Sequence, residues 1–338
     1  MRTPRFRRRS PPMPLDRRTF VTAGALWLAA GVSTATRLYG AEDASTSRRA
    51  RRFRMALHCG AIGVNADLRQ SIAWASQYGF EAVEPRADAL SKLDDAGLAS
   101  LLDELKAKGL SWSVTGLPVQ FRGDEAEFVA DLKRLPQFAK VLQKAGVGRL
   151  GTWIVPGSNE LTYRRNFSRH AKRLAAVARI LDDYGLMLGL EYVGPKTSWT
   201  RYRHPFIHTM AEMKELIACI DLPNVGITLD SWHWYTAHET IDDLRSLRGD
   251  QIVSVHLNDA PAGLAVDEQL DTTRDLPCAT GVIDLKTFLS GLVEIGYDGP
   301  VYCEPFKKSL RKLPPEKAVA MVAEAMHRAF ALIDGPAQ

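Results

Sequence analysis

Residues 186–191 read Leu-Met-Leu-Gly-Leu-Glu, a short apolar run that stops on a carboxylate. The same grammar recurs along the chain. Apolar runs stand at Met55–Cys59, Ala82–Glu84, Leu110–Thr115, Arg149–Ile154, Leu186–Glu191, Val225–Leu229, Ile252–Leu257 and Val301–Glu304. Between them lie stretches with apolar residues at helical spacing: Leu68–Tyr78, Leu98–Lys108, Glu125–Ala145, Tyr163–Tyr184, Thr209–Ile220 and Leu285–Ile295, with Ala318–Leu332 after the last run. Gly79, Gly109, Gly146, Gly185 and Gly296 fall where helices stop. Short runs buried on both faces, alternating with amphipathic helices, predict a parallel sheet. Eight such units predict an α/β fold, a single closed (β/α)8 TIM barrel over residues 54–338. A doubly wound sheet is the alternative, and it is weakened because no GxGxxG follows the first run.

In such a barrel, polar residues at the carboxyl ends of strands face the mouth where ligands bind. Four consecutive runs end this way: Leu-Gly-Leu-Glu-Tyr gives Glu191, Gly-Ile-Thr-Leu-Asp gives Asp230, Val-Ser-Val-His-Leu gives His256, and Val-Tyr-Cys-Glu-Pro gives Glu304. Any one of them has a structural reading, as a salt-bridge partner or a satisfied core histidine. Four in one register are costly to bury unless paired or bound to a cation. Three carboxylates and an imidazole suit one divalent ion, Mn2+ first, with Mg2+, Co2+ and Zn2+ also accommodated.

Around this set, His58 ends the first run and Glu84 the second, so both are candidates to line the mouth. Arg274, in Asp271-Thr272-Thr273-Arg274-Asp275, is a candidate to orient a substrate oxygen from the long loop after the seventh run. Trp153, Trp199, Trp232 and Trp234 follow the fourth to sixth runs, where aromatic faces would pack on sugar C–H surfaces. Lys196 and Lys307 are weaker candidates. Cys59 and Cys303, on the first and eighth runs, are expected to be buried thiols rather than a bridge.

The net charge of +5 suggests nucleic acid at first sight. Residues 1–54 carry 13 arginines against Asp16, Glu42 and Asp43, so the remaining body is mildly acidic and offers no basic groove for phosphates. Asp16-Arg17-Arg18-Thr19-Phe20, then an apolar stretch from Val21 to Val32, resembles a bacterial twin-arginine export signal. The stretch is too short to span a bilayer. Residues 1–41 are therefore expected to be a signal region and 42–53 a polar linker. Export by the twin-arginine machinery to the periplasm, with the signal cleaved, is the expected localisation.

The chain resembles the xylose-isomerase-like barrels, in their sugar phosphate isomerase/epimerase branch. The resemblance rests on Leu190-Glu191-Tyr192-Val193-Gly194-Pro195, Leu229-Asp230-Ser231-Trp232-His233, Val255-His256-Leu257-Asn258-Asp259, Gly281-Val282-Ile283-Asp284 and Gly296-Tyr297-Asp298-Gly299-Pro300. It implies one divalent metal held by Glu191, Asp230, His256 and Glu304, with Glu191 and Glu304 as the acid/base pair and His233 contacting substrate. It further implies isomerisation or epimerisation of a sugar or keto-sugar through an enediolate. Pro277-Cys278-Ala279-Thr280-Gly281 departs from the family's Pro-Gly-x-Gly and puts the substrate in doubt more than the metal.

The alternatives are a lyase resembling inosose dehydratases, or an exported sugar-binding barrel without turnover; retention of both glutamates argues against the latter. The related apurinic-site endonucleases need further histidines where this chain has Glu84, Thr115 and Asn258-Asp259-Ala260. The expected partner is a small carbohydrate and not nucleic acid, and assembly into a homo-oligomer is left open.

Overall fold

The computed structural model describes residues 50–334, so the expected signal region and residues 42–49 of the linker lie outside the described residues. The barrel strands are β1 (Arg54–Leu57), β2 (Ala82–Val83), β3 in two pieces (Ser111–Trp112 and Thr115–Gly116), β4 (Arg149–Trp153), β5 (Met187–Glu191), β6 (Val225–Asp230), β7 (Ile252–His256) and β8 (Pro300–Tyr302). All pair in parallel, β1 with both β2 and β8, and β5 with both β4 and β6. The first piece of β3 pairs with β2 and the second with β4, so the ends of the nine-segment sheet are two parts of one run of chain. Only Ser113 and Val114 separate them, and this gives eight strand positions round the barrel. Gly157–Ser158 and His204–Pro205 form a small antiparallel ribbon outside it.

The long helices are α1 (Leu68–Gln77), α2 (Asp95–Ala107), α3 (Glu125–Lys144), α4 (Tyr163–Asp182) and α5 (Met210–Ile220). Short α6 (Ser231–Thr236) and α7 (Ile241–Arg245) fill the β6–β7 connection, and α8 (Leu285–Glu294) and α9 (Pro315–Asp334) complete the chain. Side chains of Asp67, Asp94, Asp124 and Asp284 cap α1, α2, α3 and α8 by accepting from backbone N–H groups of the first turn. The five glycines read as helix stops all have positive φ. Helix α2 starts three residues before the expected Leu98, because Asp94 rather than the apolar run sets its N-terminus.

Two boundaries differ from expectation in a way that matters. Residues 51–53, read as the end of the linker, belong to the barrel body. Arg51 bonds to Glu81 and Asp334, and Phe53 is buried against Tyr297 and Phe330. The last strand ends at Tyr302 rather than Glu304, so Glu304 stands on the first residues of the following loop.

The inside of the barrel is crowded between β5 and β7. A Cβ on Gly189 would lie 2.4 Å from Thr228 Oγ1, and one on Gly226 would lie 2.4 Å from the Gln251 carbonyl oxygen. Thr228 Oγ1 and Ser254 Oγ bond to each other at 3.0 Å and so satisfy the hydroxyls of this interior. Gly226→Ala forces a methyl onto backbone and is expected to lower stability by about 2 kcal/mol, read by urea denaturation. An unchanged midpoint would contradict this packing.

Candidate active site

A cavity of about 350 Å3 opens at the carboxyl ends of the strands. His58, Glu84, Trp153, Glu191, His256 and Glu304 all line it, together with Tyr302 and Phe306. One ligand atom from each of Glu191, Asp230, His256 and Glu304 falls within 4.8 Å of all the others. The parallel register explains the convergence, since His256 pairs with Asp230 across β7 and β6 and with Tyr302 across β7 and β8.

His256 Nδ1 is the centre of this group. It lies 3.0 Å from Glu191 Oε1, 3.4 Å from Glu304 Oε2 and 3.6 Å from Asp230 Oδ2. Burial works to lower its pKa, but Tyr302, Glu191 and Glu304 raise it well above the usual imidazole range. Glu191 Oε1 and both ring nitrogens of His256 are buried without an aligned hydrogen bond. Polar atoms left without a hydrogen-bond partner at the meeting point of three carboxylates fit a divalent cation, because a structural cluster would have paired them with one another. The residues therefore fit the expected metal, and Glu191, Asp230, His256 and Glu304 are those that would hold it.

Asp230 is fully buried and does several tasks at once. Oδ1 accepts from Trp232 N, which caps α6, and from Asn258 Nδ2; Oδ2 accepts from Arg274 Nη1 at 2.6 Å. Burial would raise its pKa, yet Arg274, His256 and His233 hold it well below the usual carboxylate range. Arg274 is not an exposed loop residue. Its guanidinium, 3% exposed, also meets Glu304 Oε2 at 3.3 Å and Asp271 Oδ1 at 2.8 Å, and it stacks on Phe306. The loop after β7 therefore reaches inward and places a permanent cation under the carboxylates, outside the cavity lining.

His233 is also buried beside the cluster. Gly194 N–H donates to Nδ1, while Nε2 lies 3.3 Å from Arg274 Nη2 and 3.8 Å from Glu191 Oε1. A Cβ on Gly194 would sit 2.5 Å from His233 O, so this approach requires glycine. His58 donates to or accepts from Ser113 Oγ at 2.7 Å and stacks on Tyr302 with ring centroids 3.7 Å apart. Burial and the nearby His256 lower its pKa well below the usual value, so it is neutral. Glu84 is raised by burial.

The tryptophans divide. Trp153 is 47% exposed at the cavity and carries Arg122 on its face. Trp232 is fully buried, because α6 begins immediately after Asp230 and turns the indole into the wall beside Arg274. Trp234 packs on Phe288 and Trp199 on His208, and neither lines the cavity. Lys307 pairs with Asp275 and Lys196 with Asp267, both on the β7–α8 loop. Cys59 and Cys303 are free, buried thiols.

Two residues with a part here were quoted in the sequence only as pieces of a motif. Asn258 donates through Nδ2 to Asp230 and accepts at Oδ1 from Glu304 N at 3.0 Å, tying two candidate ligands together. Asp259 accepts from the backbone N–H groups of Thr280, Gly281 and Ile283 and so closes the loop that carries Arg274. Their position directly after His256 was the available signal.

The family described as xylose isomerase-like TIM barrel matches residues 72–329. The chain belongs to that family. An inosose isomerase of Bacillus velezensis is 25% identical over 77% of this chain and 91% of its own length. A ketose 3-epimerase of Arthrobacter globiformis is 25% identical over 72% of this chain and 79% of its own. Among solved structures, a xylose isomerase domain protein of Alicyclobacillus acidocaldarius superposes with TM-score 0.73 and 31% identity, covering 84% of this chain and all of that one. The IOLI protein with a bound zinc atom superposes with TM-score 0.69 over 83% of this chain and 99% of its own; at 20% identity it shares the fold.

Glu239 braces the site from behind. Tyr192, next to Glu191, donates to Oε2, and Met210 N donates to Oε1 at 2.6 Å. Burial pushes Glu239 up to about 7 from an ordinary 4.5. The folded state then binds the proton more tightly than the unfolded one. Its contribution is fully present below pH 4.5 and is lost as pH rises to about 7. Glu239→Gln mimics the protonated acid. Chemical denaturation between pH 4.5 and 8 should show wild type falling relative to the variant by roughly 3 kcal/mol. Parallel pH profiles would overturn the assignment.

Proposed function

We propose that the protein is a divalent-metal-dependent isomerase or epimerase that moves a proton beside the carbonyl of a sugar or keto-sugar. The observation that carries this reading is the pair Glu191, at the end of β5, and Glu304, just past the end of β8, both lining one cavity with His256 between them. When bound by Glu191, Asp230, His256 and Glu304, the ion would supply Lewis-acid polarisation of a substrate carbonyl, with Mn2+ the favoured metal. Glu191 and Glu304 then approach a substrate carbon from two sides. One takes its proton and the other returns a proton to the opposite face or the neighbouring carbon. Arg274 keeps Asp230 and Glu304 ionised, and His233 Nε2 stands beside both Arg274 and Glu191. The Tyr302–His58 stack and the face of Trp153 give the remaining walls apolar surface for sugar C–H groups. The similarity to an inosose isomerase and a ketose 3-epimerase supports the reaction class.

The test is mass spectrometry of pooled ketoses, keto-glycosides and inososes incubated in D2O with the Mn2+-loaded protein. Uptake of one deuterium at unchanged composition is expected, whereas loss of water would replace the reading with a lyase. Glu304→Gln should abolish exchange and weaken metal binding at least tenfold; full activity in that variant would sink the mechanism.

We also infer export, from Arg17-Arg18 ahead of the apolar stretch at Val21–Val32. Replacing both arginines by lysine should retain the protein in the cytoplasm, checked by cell fractionation. Unchanged periplasmic recovery would refute twin-arginine export.

A further inference from the structure

Arg311 lines the cavity and has no partner among the described residues. Arg311 lies on a single 3-10 turn, Leu310–Lys312, in the segment after β8, and lines the cavity with Phe306 and Glu304. Its guanidinium makes no hydrogen bond, ion pair or ring contact with any described residue. The other arginines nearby are all engaged. Arg274 is held by Asp230, Asp271 and Glu304, Arg86 by Asp88 and the Ala66 carbonyl, and Arg122 by Thr152 and the rings of Phe121 and Trp153.

The placement of Arg311 is nonetheless specified. Gly63, on the turn after β1, has φ +76°, and a Cβ there would lie 2.5 Å from Arg311 Cγ and 2.8 Å from Nε. Only glycine leaves room for the arginine stem to lie on that turn. The segment carrying Arg311 is fixed on its other side too. Leu310 is buried, Lys307 pairs with Asp275, and Phe306 adopts a left-handed backbone (φ 45°) while its ring covers Arg274. Strain of that kind persists where surrounding contacts over-determine the backbone.

Arg274 pairs with Asp230, Glu304 and Asp271, and a divalent ion would add to its positive charge beside these acids. Glu84, the remaining acid in the lining, forms no ion pair with Arg311. Arg311 is exposed at the cavity mouth, and a guanidinium fork with no partner among the described residues matches a planar oxyanion.

We propose that Arg311 recognises an oxyanion carried by the substrate, so that the protein acts on acidic sugars in preference to neutral ones. The inference rests on the isomerase/epimerase reading above for which end of the molecule meets the floor: carbonyl on the floor, oxyanion at the rim. A carboxylate and a phosphate share this chemistry. A cavity of about 350 Å3 admits a six-carbon compound of either kind.

The test uses compounds without a ketone or aldehyde, so that binding is read apart from turnover. Titration calorimetry of the full-length protein with Mn2+ compares D-glucitol, D-gluconate and D-glucitol 6-phosphate, for wild type, Arg311→Gln and Arg311→Lys. At least one acidic compound is expected to bind tenfold or more tightly than glucitol, and which one does so identifies carboxylate or phosphate. Arg311→Gln should erase that preference at unchanged metal content, and Arg311→Lys should restore part of it. Acidic compounds bound no better than glucitol overturn the proposal. So does a preference that survives Arg311→Gln, which would place the acid on the metal. Deuterium exchange on the matched ketose and keto acid separates the two readings. A binding preference without exchange supports the Arg311 assignment and removes the isomerase. Equal exchange of both removes the preference and keeps the isomerase.

Discussion

Like charge in a dry place is the constraint on which this structure turns. Glu191, Asp230 and Glu304 bring ligand atoms within 4.8 Å of one another, and Asp230 has no exposed surface at all. Such a group can stay ionised only if positive charge is built in beside it or bound into it. Arg274 answers the first need, and the unpartnered atoms of Glu191 and His256 answer the second. The arginine is always charged, so Asp230 and Glu304 remain carboxylates, whatever stands in the cavity.

The architecture of the loops follows from that demand. Delivering Arg274 beneath the floor requires a long connection between β7 and α8, and that connection is tied down at every side. Asp259 gathers its returning backbone, Lys196 and His238 hold Asp267, and Lys307 holds Asp275. Asn258 joins the loop's first residues to both Asp230 and Glu304. The segment after β8 lies over the result, with Phe306 covering the guanidinium. Rigid strands place the acids, and loops braced on them supply the countercharge and the rim.

Much of the fold was legible because its signals are local. Apolar runs of a few residues, helical periodicity and glycine at helix stops are read from near neighbours, and each of the eight runs became a strand position. The four strand-end groups could be assembled because parallel register puts equivalent positions of adjacent strands side by side. The errors have physical causes as well. Residues 51–53 look polar, yet Phe53 finds a socket between Tyr297 and Phe330, more than 240 residues away in sequence. Trp232 looked like a mouth residue, but α6 starts at once after Asp230 and swings the indole into the wall.

The sequence by itself determined the barrel, the order of its strands and the four residues that meet at its floor, since periodicity and register are properties of the chain. Only the tertiary structure decided that Arg274 is the buried counter-ion, that Asn258 couples Asp230 to Glu304, and that Arg311 has no partner among the described residues. Those are facts about which charges lie within a few ångströms across loops of irregular geometry. Electrostatic balance in a buried site is set by distance in space, and loop sequence carries no period from which that distance can be read.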